Sequence, residues 1–340
     1  MFDSGNRGAP DVGFAVVVCE QFRCMRVMRK RVNLVAVGVV VGGLLTGCGS
    51  GDGGDSESVQ RPAREKPLVF TVNYPLQYFA QRIGGDAVDV VFPAPADVDP
   101  AHWMPDRKTV KAYQQADLIL RNGADYAKWL DKVSLPESRL IDTSAAFKAQ
   151  LLKVEDVVTH SHGRGGEHSH VGTASHTWLN PRLAVMQAEA IRDALVGLAP
   201  GKAGEFEANF DSLKTDLLEL DAAIDASIKQ DRDRPVVFSH PVFQYFQQRF
   251  AVNSRTLDLD PWGVPETEEL DKHKKLQAGH RYDRVIWHAG PGDGQSKELL
   301  RGGIKSYSFQ LCSNAPETGD YLTVMQSNVK ELKQAYRPVQ

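Results

Sequence analysis

Histidine is concentrated in one stretch of this 340-residue chain, which holds five of the ten histidines between His160 and Pro181. Four of the five form two His-X-His pairs in a segment rich in Gly and Ser: His160, His162, His168 and His170. Neutral imidazole is a ligand of borderline metals, and above a pKa of about 6.5 it is mostly free to bind. A solvated linker with chance histidines is the alternative. The paired spacing favours a flexible loop, residues 160–175, that contacts metal.

The fifth histidine, His176, has different neighbours from the other four. It opens the run His-Thr-Trp-Leu-Asn-Pro, in which Asn180 suits a helix N-cap and Pro181 suits the first helical position. His176 is therefore predicted to be one fixed histidine at a helix start, next to the flexible loop.

The elements that must position these residues follow an alternating pattern. Apolar runs of strand length alternate with helical spacing, and the strands are predicted at 68–74, 88–95, 117–123, 138–144, 235–240, 255–260, 284–290 and 304–311. Helices are predicted between them at 77–85, 106–116, 241–250, 265–278, 296–301 and 320–336. This alternation predicts an α/β fold with two lobes, each a mostly parallel sheet flanked by helices.

One long apolar stripe interrupts the alternation. Its residues are spaced three or four apart, as on one face of a helix: Phe206, Phe210, Leu213, Leu217, Leu220, Ile224 and Ile228. A helix of about 27 residues is roughly 40 Å long, which predicts a rigid connection between the two lobes. A coiled-coil dimer is the alternative, but the stripe covers fewer than about four heptads, so we expect a monomer. The expected boundaries are an N-terminal lobe at 67–200, the bridging helix at 201–231 and a C-terminal lobe at 232–340.

The N-terminal residues have the pattern of an export signal. A basic region, Arg26–Arg31, precedes an apolar run, Val32–Leu45, which is short for a membrane span. The run ends in Leu-Thr-Gly-Cys, which resembles the bacterial lipoprotein signal, and this resemblance implies cleavage before Cys48 and lipidation of that cysteine. A plain secretory signal or a weak anchor helix is the alternative.

Two further expectations concern this region. Residues 1–24 precede the basic region, so Met25 and Met28 are alternative starts of a signal that ends at Cys48. Residues 49–66 lack apolar content and are expected to form a flexible spacer.

Four histidines outside the paired motif fall near the ends of the predicted elements. Two lie at the carboxyl ends of predicted strands, one follows a strand by a few residues, and one precedes a helix: His240, His288, His102 and His176. Ligands of open α/β sheets bind beyond the carboxyl ends of the strands, so two facing lobes would bring these imidazoles to one cleft. Three or four nitrogen donors suit tetrahedral Zn²⁺. The structural alternative for each is a hydrogen-bonded core histidine, and His273 and His280 are excluded because they lie on polar stretches that are expected to be exposed.

Composition excludes other classes of function. Lys+Arg 40 against Asp+Glu 43 leaves no large basic surface for nucleic acid. The four cysteines include no Cys-X-X-Cys pair. The sequence contains no His-Glu-X-X-His motif, and no Asp or Glu is adjacent to His102, His176 or His240, which disfavours a zinc hydrolase.

Several motifs resemble, in the same order, those of the metal-binding lipoproteins of bacterial ABC importers for zinc and manganese. They span residues 67–336 and comprise Asp99-Pro100-Ala101-His102, Ala116-Asp117-Leu118-Ile119, Asn122-Gly123, the His176–Pro181 run, Ser239-His240, Tyr245-Phe246 and Tyr321-Leu322 with Met325, Asn328 and Leu332. The resemblance implies two α/β lobes joined by one long helix. It also implies metal ligands at His102, His176 and His240, and the His-rich loop is typical of zinc-type members.

The resemblance favours zinc over manganese, because manganese-type members have a carboxylate where this chain has His240. The chain also departs from the family pattern, since Ala101 separates Pro100 from His102 and Gln310 stands where many members have Asp. His288 stands where relatives often have Glu, so the fourth ligand is open between His288 and water.

The function expected from these observations is capture of zinc between two lobes and delivery to the membrane permease of an ABC importer. The protein would be lipid-anchored in the cell envelope and face the periplasm or the exterior. A zinc buffer or chaperone without a transporter, and a zinc-dependent hydrolase, are the alternatives.

Overall fold

A four-stranded parallel sheet forms the N-terminal lobe of the protein. In the computed structural model the described residues are 64–154, 159–161, 167–169, 172–259 and 267–338. The sheet has the order β2-β1-β3-β4 and consists of β1 (Leu68–Thr71), β2 (Asp89–Val91), β3 (Leu118–Arg121) and β4 (Leu140–Asp142). The helices of this lobe are α1 (Tyr74–Gly84), α2 (Arg107–Gln114) and α3 (Pro181–Leu198).

Strand β1 ends three residues earlier than the apolar run predicts. The side chain of Asn73 accepts a hydrogen bond from the backbone N–H of Leu76 at 3.2 Å, so Asn73 caps α1 instead of continuing the strand. Pro75 lies in the first turn of α1, where the missing N–H has no cost. The capping chemistry of Asn73 therefore outweighs the apolar character of the run.

The His-rich stretch contains short strands that the sequence analysis did not predict. They are β5 (Lys153–Val154), β6 (Thr159–Ser161), β7 (Glu167–Ser169) and β8 (Gly172–Thr173). Strand β5 pairs with β8, and β6 pairs with β7, both antiparallel. In the second pair His160 lies opposite His168. His162 and His170 lie outside the described residues, as do residues 1–63, which include Cys48.

The long helix α4 (Ala203–Ile228) confirms the predicted apolar stripe. Its 26 residues run without interruption, and all seven residues of the stripe are buried. The helix packs against α1 and α3 of the N-terminal lobe. It also packs against the C-terminal helix α8 (Tyr321–Ala335). Helix α4 therefore joins the cores of both lobes. No described helix is both long enough and apolar enough to span a bilayer.

A second four-stranded parallel sheet forms the C-terminal lobe. Its order is β10-β9-β11-β12, with β9 (Val236–Phe238), β10 (Ser254–Thr256), β11 (Arg284–Trp287) and β12 (Lys305–Ser308). Helix α8 and three further helices accompany it: α5 (Gln244–Phe250), α6 (Thr267–Gly279) and α7 (Asp293–Arg301). The prediction of two α/β lobes joined by a long helix is thereby confirmed.

The start of α5 differs from the prediction. The sequence suggested a helix from Pro241, but the helix begins at Gln244. The backbone N–H of Val242 is bonded to the carbonyl of His240 at 2.9 Å, and the side chain of Gln244 donates to the carbonyl of Pro241 at 2.8 Å. These local bonds form a turn that carries His240 before the helix starts.

A buried ion cluster joins the long helix to both lobes. Asp221 of α4 accepts a hydrogen bond at 3.1 Å from Nε of Arg182, at the start of α3. It also accepts bonds from Nε and Nη2 of Arg249 in α5, the first at 2.8 Å. Only 7% of the Asp221 side chain is exposed, so this carboxylate depends on its two guanidinium partners.

Removal of Asp221 tests the importance of this cluster. Asp221→Ala should lower the free energy of unfolding by about 2–4 kcal/mol, because Arg249 keeps a largely buried charge without its partner. Urea unfolding followed by circular dichroism would measure the loss. Asp211→Ala, on the exposed face of the same helix, should change stability by less than about 0.5 kcal/mol. Equal effects of the two substitutions would contradict this role for the cluster.

Candidate metal centre

The carboxyl edge of the N-terminal sheet carries a row of polar side chains. The register pairs Thr71 with Leu120, so Asn73 and Asn122, two residues further along, lie side by side. The register also pairs Arg121 with Asp142, which places Thr143 next to Asn122 on the other side. All three polar residues are fully buried. Because buried polar groups require partners, this row must be satisfied by what lies above it.

Asn122 is the centre of that hydrogen-bond network. Its Oδ1 accepts bonds from Asn73 Nδ2 at 3.2 Å, Gln187 Nε2 at 3.2 Å and Thr177 Oγ1 at 3.3 Å. Its Nδ2 donates to the carbonyl of Ser175 at 2.9 Å. Ser175 and Thr177 flank His176, so the sheet edge fixes the backbone on both sides of that histidine.

Gly123 allows the chain to leave the sheet at this point. Its φ is +71°, and a Cβ there would lie 1.9 Å from Ser144 Oγ, which no side chain tolerates. The left-handed backbone continues at three residues without glycine's freedom: Ala124, Asp125 and Ala127. This strained turn brings the ring of Tyr126 to 5.9 Å from the ring of His176 in an edge-on arrangement.

His176 is buried between aromatic rings, with 6% of its surface exposed. The ring of Trp178 lies 5.0 Å away on one side, and Tyr126 closes another. Nδ1 of His176 contacts Ser175 Oγ at 3.3 Å. Asn180 caps α3 through a 3.0 Å bond from the N–H of Arg182, which confirms the predicted helix start. His176 is therefore fixed, as the sequence predicted.

Burial lowers the pKa of His176 to about 4, from an ordinary value of 6.5. The nearby imidazoles of His240 and His102 lower this pKa further, whereas the charge of Asp99 acts in the opposite direction. His176 is therefore neutral over the physiological pH range, which is the form that binds metal.

His102 lies on the loop between β2 and α2. Its Nε2 is 3.9 Å from Oδ2 of Asp99, and its backbone N–H donates to the carbonyl of Asp99 at 3.1 Å. Asn314 of the C-terminal lobe fastens the same loop by donating to the carbonyls of Pro95 at 2.7 Å and Val98 at 2.9 Å. The histidine therefore sits on a turn that residues of both lobes support.

The carboxyl edge of the C-terminal sheet carries a second row. The register pairs Phe238 with Thr256 and with Ile286, on the two sides of β9. Two residues beyond these positions, the three strands place Asp258, His240 and His288 next to one another. The sequence predicted the strand-end positions of both histidines, and Asp258 joins them because parallel strands end at the same edge.

The side chains in this row contact one another directly. His240 Nδ1 lies 2.9 Å from Asp258 Oδ1, and His288 Nδ1 lies 3.0 Å from Ser239 Oγ. The rings of His240 and His288 are 4.6 Å apart, with an angle of 31° between their planes. Since Nδ1 of each ring is engaged, Nε2 is the nitrogen that each ring could offer to a metal.

A cleft of about 50 Å³ lies beside His102 and His176. Residues of both lobes line it, including His102, His176 and Pro241. Tyr245 of α5 ties the lobes together beside it, because its hydroxyl donates to the carbonyl of Ala174 at 2.9 Å. Within the described ranges, no three His, Cys, Asp or Glu side chains are grouped closely enough to hold an ion.

Other candidate donors lie away from the cleft or are unsuitable. Burial raises the pKa of the Cys312 thiol to about 12, which disfavours the thiolate that would bind metal. The backbone of Gln310 exchanges hydrogen bonds of 2.9 Å and 2.8 Å with the Asn328 side chain, which fixes this segment against α8. Neither residue replaces the carboxylate that the family pattern leads one to expect.

The interpretation of His273 and His280 as exposed was wrong, although their exclusion from the cleft holds. Both are buried: His273 Nδ1 contacts the hydroxyl of Tyr282, and His280 Nε2 contacts the carbonyl of Val236 at 3.0 Å. Their polar sequence neighbours lie on the exposed faces of the same segment, so local polarity gave a misleading indication of burial.

Sequence reasoning missed the carboxylates of this region. Adjacency in sequence suggested that no Asp or Glu lies beside the histidines, yet Asp258 contacts His240 and Asp99 lies near His102. A signal for Asp258 existed, since it lies within the predicted strand 255–260. Only the strand order could have shown that this strand is the neighbour of the one that ends before His240.

Comparison with known proteins relates this geometry to a family. The family model described as "Zinc-uptake complex component A periplasmic" (ZnuA) matches residues 69–335. The chain belongs to this family. The zinc-binding lipoprotein AdcA of Streptococcus pneumoniae is 26% identical over 295 residues, which cover 82% of this chain and 57% of that protein. The chain thus spans little more than half the length of that relative.

Solved structures share the fold at low sequence identity. The metal-dependent lipoprotein YcdH of Bacillus subtilis has a TM-score of 0.68 and 21% identity, covering 79% of this chain and 99% of that one. The Zn(II)-bound ZnuA-like domain of Streptococcus pneumoniae AdcA has a TM-score of 0.67 and 21% identity, covering 80% and 100%. The two-lobe architecture of the ZnuA family is therefore present here.

The buried state of His176 makes a prediction for the metal-free chain. Its pKa is about 4 when folded and 6.5 when unfolded, so between these values the unfolded chain binds more protons. The stabilisation is complete above pH 6.5 and is lost as the pH falls towards 4. Substitution His176→Leu should therefore flatten the decline of unfolding free energy over this interval, measured by urea unfolding at several pH values. An identical slope in both proteins would show that His176 does not remain neutral when buried.

Proposed function

We propose that this protein captures Zn²⁺ in the cleft between its lobes and delivers it to the membrane permease of an ABC importer. The observation that supports the proposal is the nearness of imidazoles from the two lobes: His102 and His176 line one cleft, and the charge of His240 acts on His176. His240 and His288 are neighbours at the C-terminal edge, and Pro241, which follows His240, belongs to the lining of the cleft. His102 lines the cleft from the loop after β2.

The donor set supports zinc as the cargo. Imidazole suits zinc, whereas Mn²⁺ is a harder ion that prefers carboxylate and carbonyl oxygens. The relative AdcA is named a zinc-binding lipoprotein, and the ZnuA-like domain of AdcA was solved with Zn(II). In the proposed site His102, His176 and His240 supply three nitrogens, and His288 or a water supplies the fourth position of a tetrahedron.

Coordination by these residues requires their side chains to move towards one point, because no three of the described His, Cys, Asp or Glu side chains are grouped closely enough to hold an ion. An ion that binds the conformation with these side chains brought together more tightly than the metal-free conformation would shift the equilibrium towards it. His240 and His288 are already neighbours, with their rings 4.6 Å apart. The charges of His102 and His240 both act on His176, which places these two residues in its electrostatic surroundings.

A zinc hydrolase is the less favoured alternative. Asp99 and Asp258 lie near the histidines, so the presence of carboxylates alone does not decide the question. Asp258 is bonded to a histidine ring, which is a supporting position and not that of a base aimed at a substrate. Membership of a family described as a component of a zinc-uptake complex favours a transport role.

The proposals that the protein delivers zinc to a permease and that it acts outside the cytoplasmic membrane are supported by its family membership. Its description as periplasmic supports a position outside the cytoplasmic membrane. The lipoprotein names of relatives support an anchor at Cys48, which is outside the described residues. A zinc buffer without a transporter would have the same ligands. Loss of zinc uptake by cells that lack this chain, restored by its expression, would favour the transporter role.

Titration of the purified chain with zinc tests the site. One tight Zn²⁺ per chain is expected, with Mn²⁺ a poor competitor. His240→Ala should lower the zinc affinity by more than about 100-fold, the upper range for residues that only support a ligand. His288→Ala should lower it less. A competing chromophoric chelator would measure each affinity.

The control is His280→Gln, which keeps a donor for the Val236 carbonyl and lies outside the cleft. Its zinc affinity should match that of the parent. Equal affinities for Mn²⁺ and Zn²⁺, or an unchanged affinity in His240→Ala, would refute the zinc site. If only His288→Ala left the affinity unchanged, water would be the fourth ligand.

We further propose that the His-rich loop is a weaker, auxiliary zinc site. Strand pairing places His160 opposite His168, which is a separation compatible with a shared metal. The other two histidines of the paired motif, His162 and His170, complete the donor set. These four histidines are assigned as metal donors only as part of this proposal.

Deletion of residues 160–170 separates the two sites. Low-affinity zinc should disappear, because four histidines are removed, while the tight site should remain within about threefold of its original affinity, since His176 is held by Asn122 and not by the loop. Isothermal titration calorimetry would resolve both. Loss of the tight site in the deletion variant would mean that the two roles are reversed.

A further inference from the structure

Asp258 is the one charged member of the row at the C-terminal sheet edge. Strand β10 places it beside His240, and its Oδ1 lies 2.9 Å from Nδ1 of that ring. Only 19% of its side chain and 7% of the His240 side chain are exposed. A carboxylate with so little access to water is costly to bury unless its charge is paired or lies near a metal ion.

We propose that Asp258 is a positioning and charge-balancing residue of the metal site. This inference rests on the function proposed above, in which His240 is a ligand. A carboxylate on Nδ1 holds the ring in the tautomer with a proton at Nδ1, so that Nε2 carries the lone pair for the metal. The same hydrogen bond makes the imidazole a stronger donor to the ion.

The charge of Asp258 matters because the proposed donors carry none. Neutral imidazoles around Zn²⁺ leave the double charge of the ion uncompensated, and a nearby negative charge would offset part of the cost of holding it. The family pattern would supply this charge with a carboxylate ligand, which this chain lacks at Gln310. Asp99, with 51% of its side chain exposed, is better screened by water than Asp258.

Ser239 provides an internal comparison. Its Oγ contacts Nδ1 of His288 at 3.0 Å and also accepts the backbone N–H of His288 at 3.1 Å. It orients the second ring of the row without adding charge. Ser239 and Asp258 both orient a histidine ring, but only Asp258 adds a negative charge. Comparing the two residues therefore distinguishes the effect of orientation from the effect of charge.

Two substitutions of Asp258 in the full chain distinguish these contributions. Asp258→Asn keeps an oxygen that can accept from Nδ1 but removes the charge, and Asp258→Ala removes both. Zinc affinity should fall about tenfold in the first variant and towards 100-fold in the second. Nitrogen-15 NMR of the metal-free protein should show the Nδ1-protonated tautomer of His240 in the parent and in Asp258→Asn, and a mixture in Asp258→Ala.

X-ray absorption of the zinc-bound proteins tests whether Asp258 supports a ligand or is one. The first-shell donors should be the same in the parent and in Asp258→Asn. Loss of a first-shell oxygen in the variant would overturn the positioning role. The control is Asp293→Asn, at a carboxylate with 94% of its side chain exposed, which should change neither affinity nor tautomer.

The outcomes also separate this inference from the function on which it rests. If His240→Ala lowers zinc affinity but both Asp258 variants bind zinc as the parent does, the role of Asp258 is refuted and the proposed function stands. If His240→Ala binds zinc normally, the proposed function itself fails. A melting temperature of the metal-free Asp258→Asn protein close to that of the parent would confirm that lower affinity does not reflect loss of folding.

Discussion

Parallel strand register is the constraint on which the candidate site depends. In each sheet the strands end together, so residues far apart in sequence come to lie in one row at the carboxyl edge. The N-terminal row carries amides and a hydroxyl, and these fix the turn of His176 through Asn122. The C-terminal row carries His240 and His288. A slip of one residue in either sheet would turn these side chains to the opposite face and abolish the site.

The two rows solve different physical problems. The N-terminal row must hold a neutral imidazole in a buried position, and uncharged partners achieve this without stabilising the protonated ring. The C-terminal row instead includes a carboxylate, Asp258, which is bonded to the ring of His240. In the proposed site both histidines would bind the same ion, and the C-terminal row would supply the negative charge that the amides and the hydroxyl of the N-terminal row do not.

Sequence reasoning succeeded where one local interaction decides the structure. The apolar stripe of α4 and the cap at Asn180 depend on residues two to four positions apart, and both were predicted. It failed where several local signals compete, as at Asn73, which caps a helix within an apolar run, and at Pro241, whose turn precedes α5. It could not find Asp258, because the contact with His240 is created by strand order, which no spacing along the chain encodes.

The four proposed donors also differ in how firmly they are held, and this difference bears on release of the cargo. His176, His240 and His288 each lie within two residues of a regular strand or helical turn and have Nδ1 engaged. His102 lies instead on a loop, with 29% of its side chain exposed. Fixed donors reduce the entropy lost on binding and so favour affinity, whereas a donor on a loop can leave the ion without disturbing a sheet. In the proposed site, three donors would thus be held next to regular structure and the fourth, His102, by a turn that Asn314 of the other lobe fastens.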